Sequence, residues 1–294
     1  MNKIFIIIQR EYLTRVKKKS FVIMTLLTPL LMIAIIGAPV WLSGINDSGV
    51  NGIEVETSSE PALIVGIVTA LLIYFFILIY GAQVMRGVVE EKANRIVEII
   101  ISSVKPFELM LGKIIGIALV GLTQFLVWVS IALFLSALWD ASTLLTSTIN
   151  ALSSLNVVEL LSFFIIYFLG GYLLYASLFA AIGAASDNGT DTQQFVIPVV
   201  LPIIFAIIVA AHSAKNPDGQ LAFWTSIIPF TSPIVMMARI PTGVPTWELV
   251  VSVLVLLLSF IGTTWVAAKI YRTGILMYGK KITYMEIWKW VIHG

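Results

Sequence analysis

The sequence predicts an all-α integral membrane protein. Of its 294 residues, 59% are hydrophobic and only 12% are charged, which is far outside the range of soluble domains. The mean hydropathy is +1.00, and the apolar residues gather in runs of about 18 or more, enough for a helix to cross a hydrocarbon core of roughly 30 Å. Because no run shows the alternating pattern of a membrane β-barrel, we predict that the spanning elements are helices.

Six apolar runs are long enough to span a bilayer. They predict transmembrane helices at residues 21–43, 61–85, 111–139, 160–186, 194–212 and 247–271. The first run is too long for a cleavable signal and follows a polar, basic segment, so we predict that it stays as an anchor. Residues 1–294 are predicted to form a single transmembrane domain.

Lysine and arginine are distributed on one side of these spans. Of the 18 basic residues, all but Lys215 and Arg239 precede the first span, lie between the second and third, or follow the sixth. Since positive loops resist translocation, both termini are predicted to be cytoplasmic. The predicted location is the cell membrane, which in a bacterium is the inner membrane. The net charge of +2 then reflects topology, so we predict no nucleic-acid partner. With no cysteine and two histidines, we also predict no metal site.

Residues 1–20 are predicted to form an interfacial elbow helix. Apolar residues recur there every three or four positions, at Phe5, Ile8, Tyr12 and Val16. Cations occupy the remaining surface, which is the pattern of a helix lying on lipid. One interpretation is a plain membrane-surface anchor; the other is an elbow that feeds the first span and touches a cytoplasmic partner. Its candidate functional residues are Arg10, Glu11 and Tyr12.

The ion-rich segment 86–110 lies between the second and third spans. Apolar residues at helical spacing, with ions opposite, predict one amphipathic helix over 88–103 that places Glu91 and Arg95 together on the exposed face. Pro106 then ends that pattern and opens the next helix. A solvated surface helix is the plain interpretation, and a docking element is the functional one. The candidate docking residues are Glu90, Glu91, Arg95, Glu98, Lys105 and Pro106.

The segment 213–246 is interrupted by five prolines, and the apolar pieces between them are too short to span. Ser232 is predicted to be the N-cap of a helix that begins at Pro233 and runs to about Ile240. We predict a pair of re-entrant half-helices that form an external gate; the alternative is an interfacial surface loop. The candidate gate residues are Pro229, Phe230, Ser232, Pro233, Met236 and Met237.

Three blocks together resemble a known family, the type-2 ABC exporter permeases, and within it the sodium-efflux-like branch. These blocks are residues 9–12, residues 89–113 with their charges, proline and Gly-Lys pair, and residues 228–239. The resemblance implies that 86–110 is a coupling element inserted into cytoplasmic ABC ATPase subunits, two per complex, which bind ATP and magnesium. It further implies that this chain itself holds no cofactor. A second permease chain, identical or paralogous, would pair with it in the lipid bilayer around a translocation path.

The resemblance also implies which residues line that path. Members of the family use the second and fifth spans, so the candidates are Ile73, Phe76, Tyr80, Phe195, Val199 and Ile203. The substrate is expected to be an ion or a small amphipathic molecule. One departure concerns the external link 44–60, which is short where members of this branch commonly carry a sizeable domain. Either the chain is a short-loop member or that domain has been removed.

The energy source is predicted to lie outside the chain. No aspartate, glutamate, lysine or arginine falls in the central part of any predicted span, whereas proton-coupled and ion-coupled carriers usually place such groups there. Residues 274–281 look like a phosphate-binding loop, but Lys281 stands where a serine or threonine would be needed for magnesium. The chain is therefore predicted to be a transport subunit and not an enzyme.

One enzymatic alternative has a motif behind it. Glu90, Glu91 and Arg95 fit the E-E-x-x-x-R pattern of CAAX-protease-like intramembrane glutamic proteases, and His212 with Asn216 fits their H-x-x-x-N. Two glutamates there could activate a water for peptide hydrolysis. The predicted topology, however, separates the glutamates from His212 by roughly a membrane thickness. A membrane scaffold without transport activity is a third interpretation.

Overall fold

The described residues, 3–29, 60–138, 157–186, 189–278 and 283–293 of a computed structural model, form helices joined by short turns. None of them lies in a β-strand, which confirms the predicted all-α fold. In chain order the α-helices are α1 (Lys3–Val16), α2 (Lys19–Pro29), α3 (Glu60–Ala93), α4 (Ile96–Ile101), α5 (Pro106–Leu138), α6 (Val157–Ala185), α7 (Gly189–Lys215), α8 (Gln220–Ile227), α9 (Ser232–Arg239), α10 (Thr246–Gly274) and α11 (Tyr284–His293).

Five of these helices are long and apolar enough to cross a membrane. They are α3, α5, α6, α7 and α10, and they correspond to the second to sixth predicted spans. The first predicted span, 21–43, begins within the shorter apolar helix α2, and the rest of it lies outside the described residues. The predicted external link 44–60 also lies outside them, apart from Glu60 at the start of α3. The chain is thus a multi-pass membrane protein.

Helix α6 lies at the centre of the bundle, packed between α3 and α10. Its small residues Ala176, Ala180 and Ala184 are fully buried, so neighbouring backbones approach it closely. On the α3 side, the ring of Phe76 makes an edge contact with that of Phe168, with centroids 5.4 Å apart. The same ring also meets Trp128 of α5 edge-on at 5.4 Å. Aromatic contacts of this kind fix three spans against one another.

The helices that do not span gather at the two ends of the bundle. Helices α1, α4 and α11 lie where α3, α6 and α10 end and where α5 and α7 begin, and we call this the basic end. Helices α8 and α9 lie at the opposite end. Among the described residues, most lysines and arginines lie near the basic end, whereas Lys215 and Arg239 lie at the opposite end.

Helix α1 packs lengthwise along the first turns of α5. A Cβ atom on Gly112 would meet Ile7, and one on Gly116 would meet the Cβ of Glu11 at 2.7 Å, so these glycines admit the elbow helix. Further along, the hydroxyl groups of Tyr12 and Thr123 are hydrogen-bonded at 3.0 Å. Phe5, by contrast, is 58% exposed and lies on the outer face of α1. The elbow helix is therefore docked on the bundle through one face and open along the other.

The segment after α7 folds back into the bundle at the opposite end. All eight residues of α9 are buried, and this helix packs against α3, α6 and α7. The predicted capping is wrong by one residue, because Thr231 is the N-cap and Ser232 is already helical. The Ser232 hydroxyl group bonds instead to Ser252 of α10 at 2.6 Å. The buried hydrogen bond to Ser252 therefore replaces the capping role that the local sequence predicts for the Ser232 side chain.

Gly66 marks the closest approach of α9 to a span, and we expect Gly66→Ala to destabilise the protein by about 1–3 kcal/mol. A Cβ atom at this position would overlap the backbone carbonyl oxygen of Ala238, which cannot move without displacing α9. Gly262 in α10 is the matched control, because a Cβ atom there meets nothing within 4 Å. Thermal unfolding in detergent should show Gly262→Ala as neutral or slightly stabilising. Equal effects of the two substitutions would contradict the close approach.

Candidate functional site

The segment joining α3 to α5 at the basic end is not one continuous helix. Helix α3 ends at Ala93, and Arg95 adopts a left-handed conformation with φ of 54° before α4 begins. The Asn94 side chain donates to the carbonyl oxygen of Glu90 at 2.9 Å and stabilises this turn. The prediction of a single helix over 88–103 is therefore wrong. The break turns α4 away from the direction of α3, so the two pieces present different faces.

Helix α4 exposes two large apolar side chains, Ile96 at 38% and Ile99 at 75%, together with polar residues. Asn94, Arg95 and Glu98 are exposed as well. Val97 is fully buried and anchors the short helix from below. The other candidate docking residues that lie at the surface are Glu90 and Lys105, and Pro106 is half-buried at the start of α5. We call residues 94–105 the coupling segment, after the role predicted for the wider segment 86–110; that role stays a prediction.

Glu91 does not share that exposed face. Its exposure is only 6%, and its Oε2 atom is 3.0 Å from Nζ of Lys113 on α5. The predicted amphipathic face, which groups Glu91 with Arg95, is wrong because the turn at Arg95 separates the two residues. Any influence of Glu91 on a partner chain must therefore act through the contacts that it makes inside this chain.

Lys113 and Glu91 belong to a buried ion cluster that joins α1, α3 and α5. The Lys113 ammonium, 1% exposed, is also 3.5 Å from a carboxylate oxygen of Glu11. Arg15 pairs with the other oxygen of Glu11 at 3.0 Å. Arg10 completes the set by donating to Oε1 of Glu91 at 3.2 Å. Each carboxylate thus has two cationic partners, which is the condition under which buried charges are tolerated.

Two of the predicted elbow residues, Arg10 and Glu11, are therefore cluster members. The third, Tyr12, is bound to α5 through Thr123. A further contact joins the start of α1 to the coupling segment, where Nζ of Lys3 donates to the carbonyl oxygen of Ser103 at 2.6 Å. The elbow helix, the coupling segment and α5 thus form one connected unit.

Lys92 connects the same region to the centre of the bundle. It is almost fully buried, and its ammonium group donates to the carbonyl oxygen of Ala184 at 2.7 Å and to that of Gly274 at 2.9 Å. These carbonyls lie at the ends of α6 and α10, where backbone acceptors lack helical partners and the helix dipole is negative. One side chain of α3 therefore caps two spanning helices.

The candidate gate residues surround a second buried polar cluster at the opposite end. Arg239 is 2% exposed, lies 3.0 Å from Oε2 of Glu248, and donates to the Ser226 hydroxyl group at 2.9 Å. Ser252 donates to the carbonyl oxygen of Ser226 at 2.8 Å, so its hydroxyl oxygen accepts from Ser232. These contacts join α8, α9 and α10.

The other gate residues lie around this cluster. Pro233, Met236 and Met237 are buried within α9, while Pro229 and Phe230 are half-buried in the preceding turn. The carbonyl oxygen of Phe230 accepts a hydrogen bond from Tyr175 of α6 at 2.7 Å. Their role as a gate stays a prediction, and the structure places them in a helical hairpin bound to the spans.

Most of the candidate pathway residues face the interior of the single chain. Ile73, Phe76, Tyr80 and Ile203 are buried, and Phe195 packs edge-on against Tyr284 of α11 with centroids 5.0 Å apart. Val199 is half-buried. Phe76 and Tyr80 also form part of the wall of a groove of about 800 Å³ between α2, α3 and α5. Of the six candidates, only Phe76 and Tyr80 line this groove.

The glutamic-protease alternative finds no support in this geometry. Glu90 lines a cavity together with Thr192 at the start of α7. His212 follows Thr192 on the same helix by 20 residues, so it lies roughly 30 Å away at the opposite end of the bundle. Glu91 is buried and is held by Lys113 and Arg10, whereas Glu90 is exposed. The two glutamates and the histidine cannot act on one substrate bond.

Sequence reasoning missed several residues that organise these sites. Lys92, Lys113 and Glu248 were not candidates, although Lys113 and Glu248 are charges at the start of predicted spans and Lys92 follows the second predicted span by seven residues. That position is itself a signal, since a charge at membrane depth needs a partner. It also missed α11, whose Trp288 is exposed while Trp290 packs against the core. Among the described residues, no group of three acidic or histidine side chains is arranged to hold a metal ion.

Comparison with known proteins identifies the family of this multi-pass helical bundle. A profile of the ABC-2 family transporter proteins matches residues 49–269. The chain therefore belongs to the ABC-2 family of membrane transporter proteins. The sodium-efflux-like branch within that family stays a prediction.

Two curated relatives match most of the chain. Uncharacterized protein YhaP of Bacillus subtilis is 31% identical over 238 residues, covering 79% of this chain and 56% of the relative. Uncharacterized protein MJ1024 of Methanocaldococcus jannaschii is 29% identical over 239 residues, covering 81% of this chain and 56% of the relative. The chain thus spans little more than half the length of the curated relatives that it matches.

Proposed function

We propose that this chain is the membrane-spanning permease subunit of an ATP-driven ABC exporter. In this proposal the basic end faces the cytoplasm, both termini are cytoplasmic, and the membrane is the bacterial inner membrane. Two separate ATPase subunits bind ATP and magnesium and supply the energy. The substrate is an ion or a small amphipathic molecule.

The observation that carries this proposal is the coupling segment. It exposes Ile99 near the middle of a six-residue helix, with Arg95 and Glu98 close to it in sequence and also exposed. An apolar side chain surrounded by charges of both signs is the usual composition of a small docking site, in which one buried anchor supplies most of the affinity. A cytoplasmic ATPase with a matching apolar pocket would bury Ile99.

The base of the segment is suited to transmit movement. The buried ion cluster holds the end of α3 to α1 and α5, and Lys92 holds it to α6 and α10. A displacement of α4 by the ATPase would therefore reach four spans through short, charge-assisted contacts. We propose Glu91 as a positioning residue, and Arg95 and Glu98 as residues that touch the ATPase directly.

The second permease chain is proposed to pair through the outward faces of α3 and α7. These two helices pack against each other, and their outward sides carry large exposed apolar residues, including Phe75, Ile79, Leu201 and Phe205. A translocation path between two copies would run along this surface. The buried candidates Ile73, Phe76, Tyr80 and Ile203 would reach it only after the spans move.

Replacing Ile99 by aspartate tests the docking role. We expect Ile99→Asp to weaken ATPase binding about 30-fold, because it places a charge in an apolar pocket at a cost of about 2 kcal/mol. The measurement is the amount of ATPase recovered when the full chain is purified from its native membrane in mild detergent. Thermal stability should not change, since the side chain makes little contact with its own chain.

Leu221→Asp is the matched control. Leu221 is also an exposed apolar residue on a short helix, but it lies on α8 at the opposite end. This variant should recover the ATPase as well as the unmodified chain does. Undiminished recovery with Ile99→Asp, or equal losses with both variants, would refute docking through the coupling segment.

A further inference from the structure

A groove of about 950 Å³ runs between α5 and α10 at the basic end of the bundle. One wall is the start of α5, and the other is the second half of α10. None of the lining residues belongs to the ion cluster, to α3 or to α7. No contact described above accounts for it.

Both walls change from apolar to basic in the same direction. On α10, Phe260 and Ile261 lie deepest, Trp265 follows one turn later, and Lys269 and Arg272 come last. On α5, which runs the opposite way, Leu111 is deep and Lys105 lies at the mouth. The start of α5 and the second half of α10, which are far apart in sequence, therefore both change from apolar to basic toward the mouth of the groove.

The dimensions fit one leaflet of a bilayer. From Phe260 to Arg272 the helix α10 rises by roughly 18 Å, which is about half of a hydrocarbon core plus part of its headgroup region. A lipid tail would contact the apolar part, and the lipid phosphate would reach the basic mouth. The groove thus matches a phospholipid in length as well as in polarity.

The charge at the mouth selects an anion. Lys105, Lys269 and Arg272 line it, and none of the described residues that line the groove is acidic. Lys269 is committed in part, since it donates to the carbonyl oxygen of Val291 at 2.8 Å and lies over the ring of Trp265. Lys105 and Arg272 are both exposed at the surface. Basic pockets between spans on the cytoplasmic side are suited to anionic lipid headgroups.

We propose that this groove binds one anionic phospholipid of the leaflet at the basic end. Lys105 and Arg272 hold the phosphate, and an acyl chain lies along Leu111, Phe260 and Trp265. Lys105 belongs to the coupling segment, so the lipid joins that segment to the end of α10 from outside the bundle. The proposal depends on the chain lying in a bilayer and does not depend on its binding an ATPase.

The test is lipid binding by the purified full chain in detergent, measured by native mass spectrometry. The probes are phosphatidylglycerol, which is anionic, and phosphatidylcholine, which is zwitterionic. We expect phosphatidylglycerol to be retained preferentially. In the double variant Lys105→Gln/Arg272→Gln its affinity should fall about fivefold for each cation removed, hence about 25-fold, while that of phosphatidylcholine should change little.

Two further variants separate a shaped site from diffuse surface charge. Lys17→Gln/Lys215→Gln removes two exposed cations elsewhere and should bind phosphatidylglycerol like the unmodified chain. Ala268→Trp fills the groove and leaves every charge in place, so it should lower retention of phosphatidylglycerol. Folding of each variant is checked by thermal unfolding and by elution volume.

Three results would overturn the proposal. One is equal retention of the two lipids by the unmodified chain. Another is unchanged phosphatidylglycerol binding in the Lys105→Gln/Arg272→Gln variant. The third is displacement of the lipid by inorganic phosphate at equal concentration, which would show that the site takes the anion alone and makes no use of the apolar walls.

Discussion

Replacing Arg239 by methionine is expected to lower the free energy of unfolding by about 3–5 kcal/mol. The side chain is almost completely buried, and it is the cation paired with Glu248, at 3.0 Å. Without it, Glu248, which is only 7% exposed, would lose the cation that pairs with it. The methionine side chain has a similar volume, so the loss would reflect the ion pair and the hydrogen bond to Ser226 more than a cavity. Thermal and denaturant unfolding in detergent would measure it.

Two companions make the Arg239 result interpretable. Lys215→Met removes an exposed cation at the same end and should change stability by less than about 0.5 kcal/mol. The double variant Arg239→Met/Glu248→Gln removes both charges and should recover much of the loss, since an apolar or neutral pair often replaces a buried ion pair without penalty. An Arg239→Met protein as stable as the Lys215→Met protein would mean that the pair is not formed.

Replacing Lys113 by methionine should have the next largest effect, about 3 kcal/mol. Lys113 is the one residue of the cluster that pairs with both carboxylates, at 3.0 Å from Glu91 and 3.5 Å from Glu11. We place the loss at the low end of the range for buried pairs because Arg10 and Arg15 still contact these carboxylates. Helix α1 should detach before the bundle unfolds, so protease cleavage within α1 should rise as well.

Lys105→Met is the matched control for Lys113→Met. It removes an exposed lysine only eight positions away, in the same region of the chain, and should leave stability and protease resistance unchanged. If Lys113→Met unfolded like the unmodified chain, α1 would be held by its apolar contacts alone. The ion cluster would then have no part in connecting the elbow helix to the coupling segment.

Features that depend on local sequence were predicted correctly, whereas features that depend on contacts distant in sequence were not. Spanning helices are predicted well because their signal is local: each requires a continuous apolar run, and the environment forbids most alternatives. The all-α fold and five spans are confirmed for this reason. The orientation prediction counts basic residues over the whole chain, so an error at one position changes it little. It stays a prediction.

The candidate site was predicted less well because it depends on contacts distant in sequence. A helical wheel shows that 88–103 has two faces, but it cannot show which face α1 covers. Burial of Glu91 depends on Lys113, 22 positions on, and on Arg10, 81 positions back. The turn at Arg95 was equally hidden, since neither glycine nor proline marks it and left-handed arginine is uncommon.

Lys92 gives the bundle a mechanical property. Its ammonium group is shared by the ends of α6 and α10, and it lies only three residues before the left-handed turn at Arg95. Movement of a short helix reaches the rest of a protein only if the contacts at its base are rigid. Helix α4 is only six residues long and bears exposed side chains, whereas the Lys92 ammonium group is buried and bound by two helix ends. A displacement of α4 would therefore move the ends of α3, α6 and α10 together, because Lys92 joins all three. A side chain without these two hydrogen bonds would leave α6 and α10 free to keep their positions when α3 moves.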